Sequence, residues 1–184
     1  MKRCYGMLSI LPSLILLFPA PAISQTVVTT IHLNNVPNVV CDEVWVQDGV
    51  DMHFTSTTAD DCTIGSCLFG IGSGPDGVWL YPSRLVADFR QSYSITKVEV
   101  DITDFCGVGC TRAFLYSSGM KVGQTSNTTV GTPEVLTVVP AGGVADMFAV
   151  SSCEGQVLGS TIRIYSTVVG TEDSSWSTLK MNFR

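Results

Sequence analysis

The chain has 184 residues, 45% of them hydrophobic and 14% charged, with ten basic residues against sixteen acids and a formal net charge of −6. No clustered basic surface can be built from so few scattered cations, which excludes nucleic acid as a partner and disfavours an anionic membrane surface. Abundant Thr, Ser, Gly and Val with few charges is the profile of an extracellular β-protein and not of a helical cytosolic enzyme.

The first residues read as an export leader. Lys2 and Arg3 precede an apolar run from Leu8 to Phe18, broken by Ser9, Pro12 and Ser13. Ala22-Ile23-Ser24 then has the small-x-small form of a cleavage site, so a cut is expected before Gln25. The run is shorter than the roughly 20 residues that span a bilayer, and no later stretch is long enough either. A secreted chain with no membrane insertion after leader removal is therefore expected. Cys4 precedes the run, away from the cleavage point, so no lipidated cysteine is expected. The expected organisation is a signal peptide at 1–24 and one domain at 25–184, a length that can bury a real core. The leader holds two of the basic residues and none of the acids, so the mature chain carries a formal charge of −8.

Six cysteines remain in the mature chain: Cys41, Cys62, Cys67, Cys106, Cys110 and Cys153. An even number in an exported protein reads as three disulfides, with 15 possible pairings. Cys62 with Cys67 and Cys106 with Cys110 could each close a small loop. Alternatively, Cys153 reaches Cys106 or Cys110, and Cys41 pairs with Cys62 or Cys67. A zinc site is the rival reading, because Cys106-Gly-Val-Gly-Cys110 has a permissible spacing. Neither His32 nor His53 supplies a matching pair, so disulfides are favoured.

In chain order, strand patterns dominate. Val50, Met52 and Phe54 alternate with Asp51, His53 and Thr55. Val98, Val100 and Ile102 alternate with Lys97, Glu99 and Asp101, and Ile162 and Ile164 flank Arg163. Leu179, Met181 and Phe183 alternate with Lys180, Asn182 and Arg184 at the end of the chain. This period of two marks half-buried strands. Val78-Trp79-Leu80-Tyr81, Ala113-Phe114-Leu115-Tyr116 and Met147-Phe148-Ala149-Val150 are apolar on both faces and read as central strands. Residues 83–90 are the most ambiguous, although Leu85, Val86 and Phe89 suit a strand. Asp48-Gly49, Asp76-Gly77, Ser118-Gly119 and Gly142-Gly143 are turn signals. Residues 56–77 form the longest irregular segment, with cysteines to staple it. The expected fold is all-β: an antiparallel, disulfide-stapled β-sandwich.

The run of elements from Val78 to Tyr165 carries a resemblance. Val78-Trp79-Leu80 is followed by Val86-Ala87-Asp88-Phe89, by Ile95 to Ile102, and by Ala113 to Tyr116 with its turn Ser117-Ser118-Gly119. Val122-Gly123, Val135 to Val139, Val144 to Val150 and Ile162-Arg163-Ile164 complete the order. This pattern resembles the jelly-roll β-sandwich of galactose-binding-like and carbohydrate-binding modules, over about half of the mature chain. It is a resemblance of strands and turns and carries no binding residue across. It implies a fold that hosts sugar binding, adhesion and structural roles alike.

For sugar binding, exposed aromatic rings beside polar groups are needed. Trp45 and Trp176 are the candidates: Trp45 points away from the face that Val44 and Val46 bury, and Trp176 follows a polar stretch. Trp79 and Tyr116 are expected in the core. Asp60 with Asp61, and Asp101 with Asp104, are candidate calcium ligands, though without the ordered Asp-x-Asp-x-Asp-Gly spacing. No Gly-x-Ser-x-Gly nucleophile elbow occurs, and His53 reads as a surface histidine. Asn127-Thr128-Thr129 matches the N-glycosylation pattern. The expected function is a non-catalytic binding module for glycans or a cell-surface component. The alternatives are an assembly protein pairing through an edge such as Leu179 to Arg184, and a hydrolase using a carboxylate pair.

Overall fold

A computed structural model describes residues 23–34, 36–37, 40–58, 67, 73–153 and 155–170. Eleven strands and no helix occur among these: β1 (Ile23–His32), β2 (Trp45–Gln47), β3 (Val50–Thr55), β4 (Ser73–Gly74), β5 (Gly77–Leu80), β6 (Arg84–Asp104), β7 (Thr111–Ser117), β8 (Met120–Ser126), β9 (Pro133–Val138), β10 (Val144–Ser152) and β11 (Val157–Gly170). All pairings are antiparallel, and the sheet curls as a half-barrel in the order β4-β5-β11-β6-β10-β7-β8. β1 also lies on β11, β3 and β9 lie on β6, and β2 lies on β3.

β6 organises the whole. Its first half pairs with β3 and β10, and its second half pairs with β9 and β11. Register shifts fall in β10 between Ala145 and Met147 and in β11 between Tyr165 and Ser166, on either side of the changeover. Extra residues of this kind increase local bend and twist, which lets one 21-residue strand serve both pairing networks.

The alternating patterns of β3, β6 and β11 bury the faces they predict. Val50, Met52 and Phe54 are buried, as are Val98, Val100, Ile102, Ile162 and Ile164. They join Leu85, Ala87, Leu115, Phe148 and Val150 in one core that draws on both halves of β6. The ambiguous segment 83–90 is strand from Arg84 onward. Ala113 to Tyr116 is buried on both faces, as expected of a central strand. Its second face forms a smaller cluster of Val86, Phe114, Tyr116 and Ala149. The Arg84 guanidinium covers that cluster, 5.4 Å from the Phe114 ring and 5.0 Å from Tyr116, whose hydroxyl accepts from it.

The turn signals sit where the chain reverses. Asp48 and Gly49 join β2 to β3 with φ of 49° and 85°, and Ser118 and Gly119 join β7 to β8 with φ of 51° and 76°. Two successive left-handed residues match the twist of a two-residue hairpin. His32 at the end of β1 is tied to the first of these turns: its backbone N–H donates to the Asp48 carboxylate at 2.8 Å.

Cys41 and Cys67 are disulfide-bonded, with a Cα–Cα distance of 5.8 Å. This corrects the small loop drawn from Cys62 to Cys67 and agrees with the alternative in which Cys41 takes Cys67. Cys153 is buried and is also disulfide-bonded. Its backbone N–H donates to the Cys110 carbonyl at 3.0 Å. The expected leader, except for Ile23 and Ser24 in β1, lies outside the described residues, as do Cys62, Asp60, Asp61, Trp176 and Leu179 to Arg184.

Candidate functional site

The second half of β6 shows its odd-numbered residues on the face away from the core. Lys97, Glu99, Asp101 and Thr103 are half-buried there, and Phe105 just beyond the strand is exposed. β11 lies alongside in a register that sets Tyr165 opposite Lys97, Arg163 opposite Glu99, Thr161 opposite Asp101 and Leu158 opposite Thr103. Directly opposed side chains share a face, so these residues form one continuous outer surface. Beyond Leu158, the next partner is Trp79 of β5.

One end of this face is a charged network. Arg163 forks onto the Asp101 carboxylate, with Nη1 donating to Oδ2 at 2.7 Å and Nη2 to Oδ1. Its Nε donates to Glu99 Oε2 at 3.3 Å. Glu99 also accepts from Lys97 Nζ at 2.6 Å and from the Tyr165 hydroxyl at 2.8 Å. The Lys97 ammonium lies 4.1 Å from the Tyr165 ring centroid. The two cations and two carboxylates balance. The other end is aromatic: Trp79 is half-buried, Phe105 is 49% exposed, and their rings lie 5.7 Å apart at 33°. From Lys97 to Phe105 the face runs about 26 Å at ~3.3 Å per residue.

The network shifts its own ionisation. The hydrogen bond from Lys97 holds the Glu99 carboxyl below its ordinary range, against an opposing push from burial, with Tyr165 and Arg163 adding to the depression. Asp101 and then Glu99 raise Arg163, against an opposing effect of burial. Glu99 therefore contributes its full stabilisation above the ordinary glutamate pKa and loses it as pH falls through the lower folded value. The gap in melting temperature between wild type and Glu99→Gln is expected to narrow between about pH 5 and about pH 3. A gap that stays constant over that range would show that Glu99 is not held charged by these partners.

Other expected site residues are placed differently. Trp45 is 8% exposed and stacks on Phe54, with ring centroids 4.9 Å apart, while Val44 and Val46 are 58% and 62% exposed. The alternation is as read but its faces are reversed, because the indole hides more apolar area than the valines do. Trp45 is a core residue and not a ligand platform. Trp79 and Tyr81, expected inside a strand buried on both faces, turn outward, and Tyr81 is 41% exposed. Tyr116 is buried, as expected. Asp101 and Asp104 do not converge on an ion: three residues apart on one strand, they face opposite sides. Asp101 holds Arg163, whereas Asp104 is 1% exposed and receives the backbone N–H groups of Cys106 and Gly107 at 2.6 and 3.2 Å and the Thr111 hydroxyl. Among the described residues no group of three or more His, Cys, Asp or Glu is arranged to hold a metal.

Reasoning from sequence missed the pairing of Arg163 with Glu99 and Asp101, and the Trp79–Phe105 pair. The alternation on β6 signalled that Glu99 and Asp101 share a face. Nothing local signalled which strand lies beside them. No family model matches the chain, and no curated protein matches its sequence.

Proposed function

We propose that this chain is an exported, non-catalytic module that lays the outer face of β6 and β11 against a glycan or a glycan-bearing cell surface. The observation that carries this reading is the Trp79–Phe105 ring pair at the end of a row of Thr, Asp, Glu, Arg and Tyr side chains. Ring faces supply apolar area, and the row beside them supplies donors and acceptors, the combination that a sugar needs. The charges on the face cancel within the network, and the mature chain is strongly acidic, so the ligand class is an uncharged polysaccharide and not a uronic acid polymer. Glu99 and Asp101 both lie against Arg163, and Glu99 is held low, the opposite of what a general acid requires. That favours binding over hydrolysis.

The finer fold belongs to the same reading. One core fed by both halves of β6 supports viewing the half-barrel as a jelly-roll β-sandwich of the galactose-binding-like kind. The test is retention of the mature protein on insoluble neutral polysaccharides and on a glycan array. Binding to at least one neutral glycan is expected, weakened about tenfold by Trp79→Ala and by Phe105→Ala, each loss corresponding to about 1.4 kcal/mol. The circular dichroism spectrum should be unchanged, since neither ring is fully buried. Absence of retention on every glycan would sink the reading.

A further inference from the structure

We infer that the Asn127-Thr128-Thr129 sequon is closed: Asn127 carries no glycan in the native protein, because the fold uses the atoms that glycosylation needs. N-glycosylation joins the anomeric carbon of a lipid-pyrophosphate-linked oligosaccharide to asparagine Nδ2. The anomeric C–O bond breaks, the pyrophosphate leaves with the electron pair, and Nδ2 gives up one proton. The reaction requires Nδ2 to be accessible, and its product retains a single Nδ2 hydrogen beside a bulky sugar.

Asn127 meets neither condition. It is 1% exposed. Both Nδ2 hydrogens are donated, one to the Gly107 carbonyl at 2.9 Å and one to the Thr129 carbonyl at 2.8 Å. Its Oδ1 accepts from the Thr111 backbone at 2.9 Å. Its own backbone N–H donates to the Thr111 carbonyl, and its carbonyl accepts from Gly109, both at 3.0 Å. The side chain thus pins the 105–110 loop to the start of β7 and to the end of β8. The rest of the sequon is equally engaged. The Glu134 carboxylate accepts from the backbone N–H and the hydroxyl of both Thr128 and Thr129, at 2.7 to 3.1 Å. Burial alone would raise the Glu134 carboxyl, but these hydrogen bonds from Thr128 and Thr129 hold it below its ordinary range. A glycan attached before folding would cost one of the two carbonyl contacts and force a sugar into a closed site, so that chain cannot reach this structure.

The full chain is to be produced in a eukaryotic secretory host, with the mass of the secreted protein measured before and after endoglycosidase treatment. A control carries Ser118→Asn with Met120→Thr, which creates an acceptor pattern in an exposed hairpin turn where the first residue already has a positive φ. The secreted control is expected to carry one glycan and the secreted wild type none, any glycosylated wild-type chain being confined to the retained pool. Thr129→Ala, which removes the acceptor pattern but keeps the Asn127 contacts, is expected to be secreted at least as well as wild type. Asn127→Gln, which breaks those contacts, is expected to be secreted severalfold less. A secreted wild type with a glycan on Asn127 and the melting temperature of the unglycosylated Thr129→Ala variant would overturn the inference. So would an Asn127→Gln variant as stable and as well secreted as Thr129→Ala.

Discussion

Replacing Asp104 with alanine is expected to lower the unfolding free energy by about 4 kcal/mol, since hydrogen bonds to an ionised group contribute roughly 1.5–3 kcal/mol each and orphaned buried donors add to the loss. For a domain of this length that corresponds to a melting temperature lower by roughly 10 °C. Three donors lose their acceptor together: the Cys106 and Gly107 backbone groups and the Thr111 hydroxyl. Water cannot replace the carboxylate without entry, because Asp104 is 1% exposed and Thr111 is fully buried. The Asp146 carboxylate is the internal comparison. It accepts the Ser118 backbone N–H at 2.6 Å, as short a bond as that to Cys106, but at an exposed turn. Asp146→Ala is expected to cost about 1 kcal/mol, because solvent takes over the lost bond. Equal losses in the two variants, measured by denaturant titration, would refute the claim that burial sets the cost. Asp104→Asn keeps one acceptor oxygen and is expected to fall between them.

Asp104 also shows which parts of the fold are legible in the sequence. Its neighbourhood, an acid followed at two and three residues by Cys and Gly, suits a carboxylate that caps its own turn. A shared calcium with Asp101 is chemistry that the period of two already forbids. Trp45 is similar. The alternation of Val44-Trp45-Val46 says that the ring opposes the valines, but not which side is inside. The Asp48-Gly49 turn does say it: a two-residue hairpin fixes Gln47 opposite Val50, and therefore Trp45 opposite Met52, a core residue. The strands with four or more alternating residues, β3 and the second half of β6, are readable without such help. The outer-face network is not. Arg163 lies 64 residues from Glu99, and only the long-range pairing of β6 with β11 brings them together. Likewise, nothing in Asn127-Thr128-Thr129 distinguishes a buried structural asparagine from an exposed acceptor.

A close approach of β5 to β11 yields the other large effect. Gly77→Ala is expected to destabilise the protein by roughly 3–5 kcal/mol, combining a φ that side chains rarely adopt with overpacking of a closed contact. Gly77 has φ of +135° and closes the β4–β5 turn opposite Gly74. A Cβ added to it would collide with the Gly159 carbonyl oxygen of β11. That carbonyl is backbone and cannot rotate aside, and the β5–β11 ladder pairs Gly159 with Val78, the residue after the collision. Relief therefore requires β5 to lift from β11, which exposes Val78 and Leu80, both fully buried. Gly131 separates the two contributions: its φ is +69°, and nothing lies within 4 Å of the position its Cβ would take. Gly131→Ala is expected to cost about 1 kcal/mol, the conformational penalty alone. If thermal unfolding shows the two alanine variants equally destabilised, the close approach of β5 to β11 carries no weight. If Gly77→Ala loses the larger share, that contact is what holds β5, and with it the Trp79 ring, in place on the outer face.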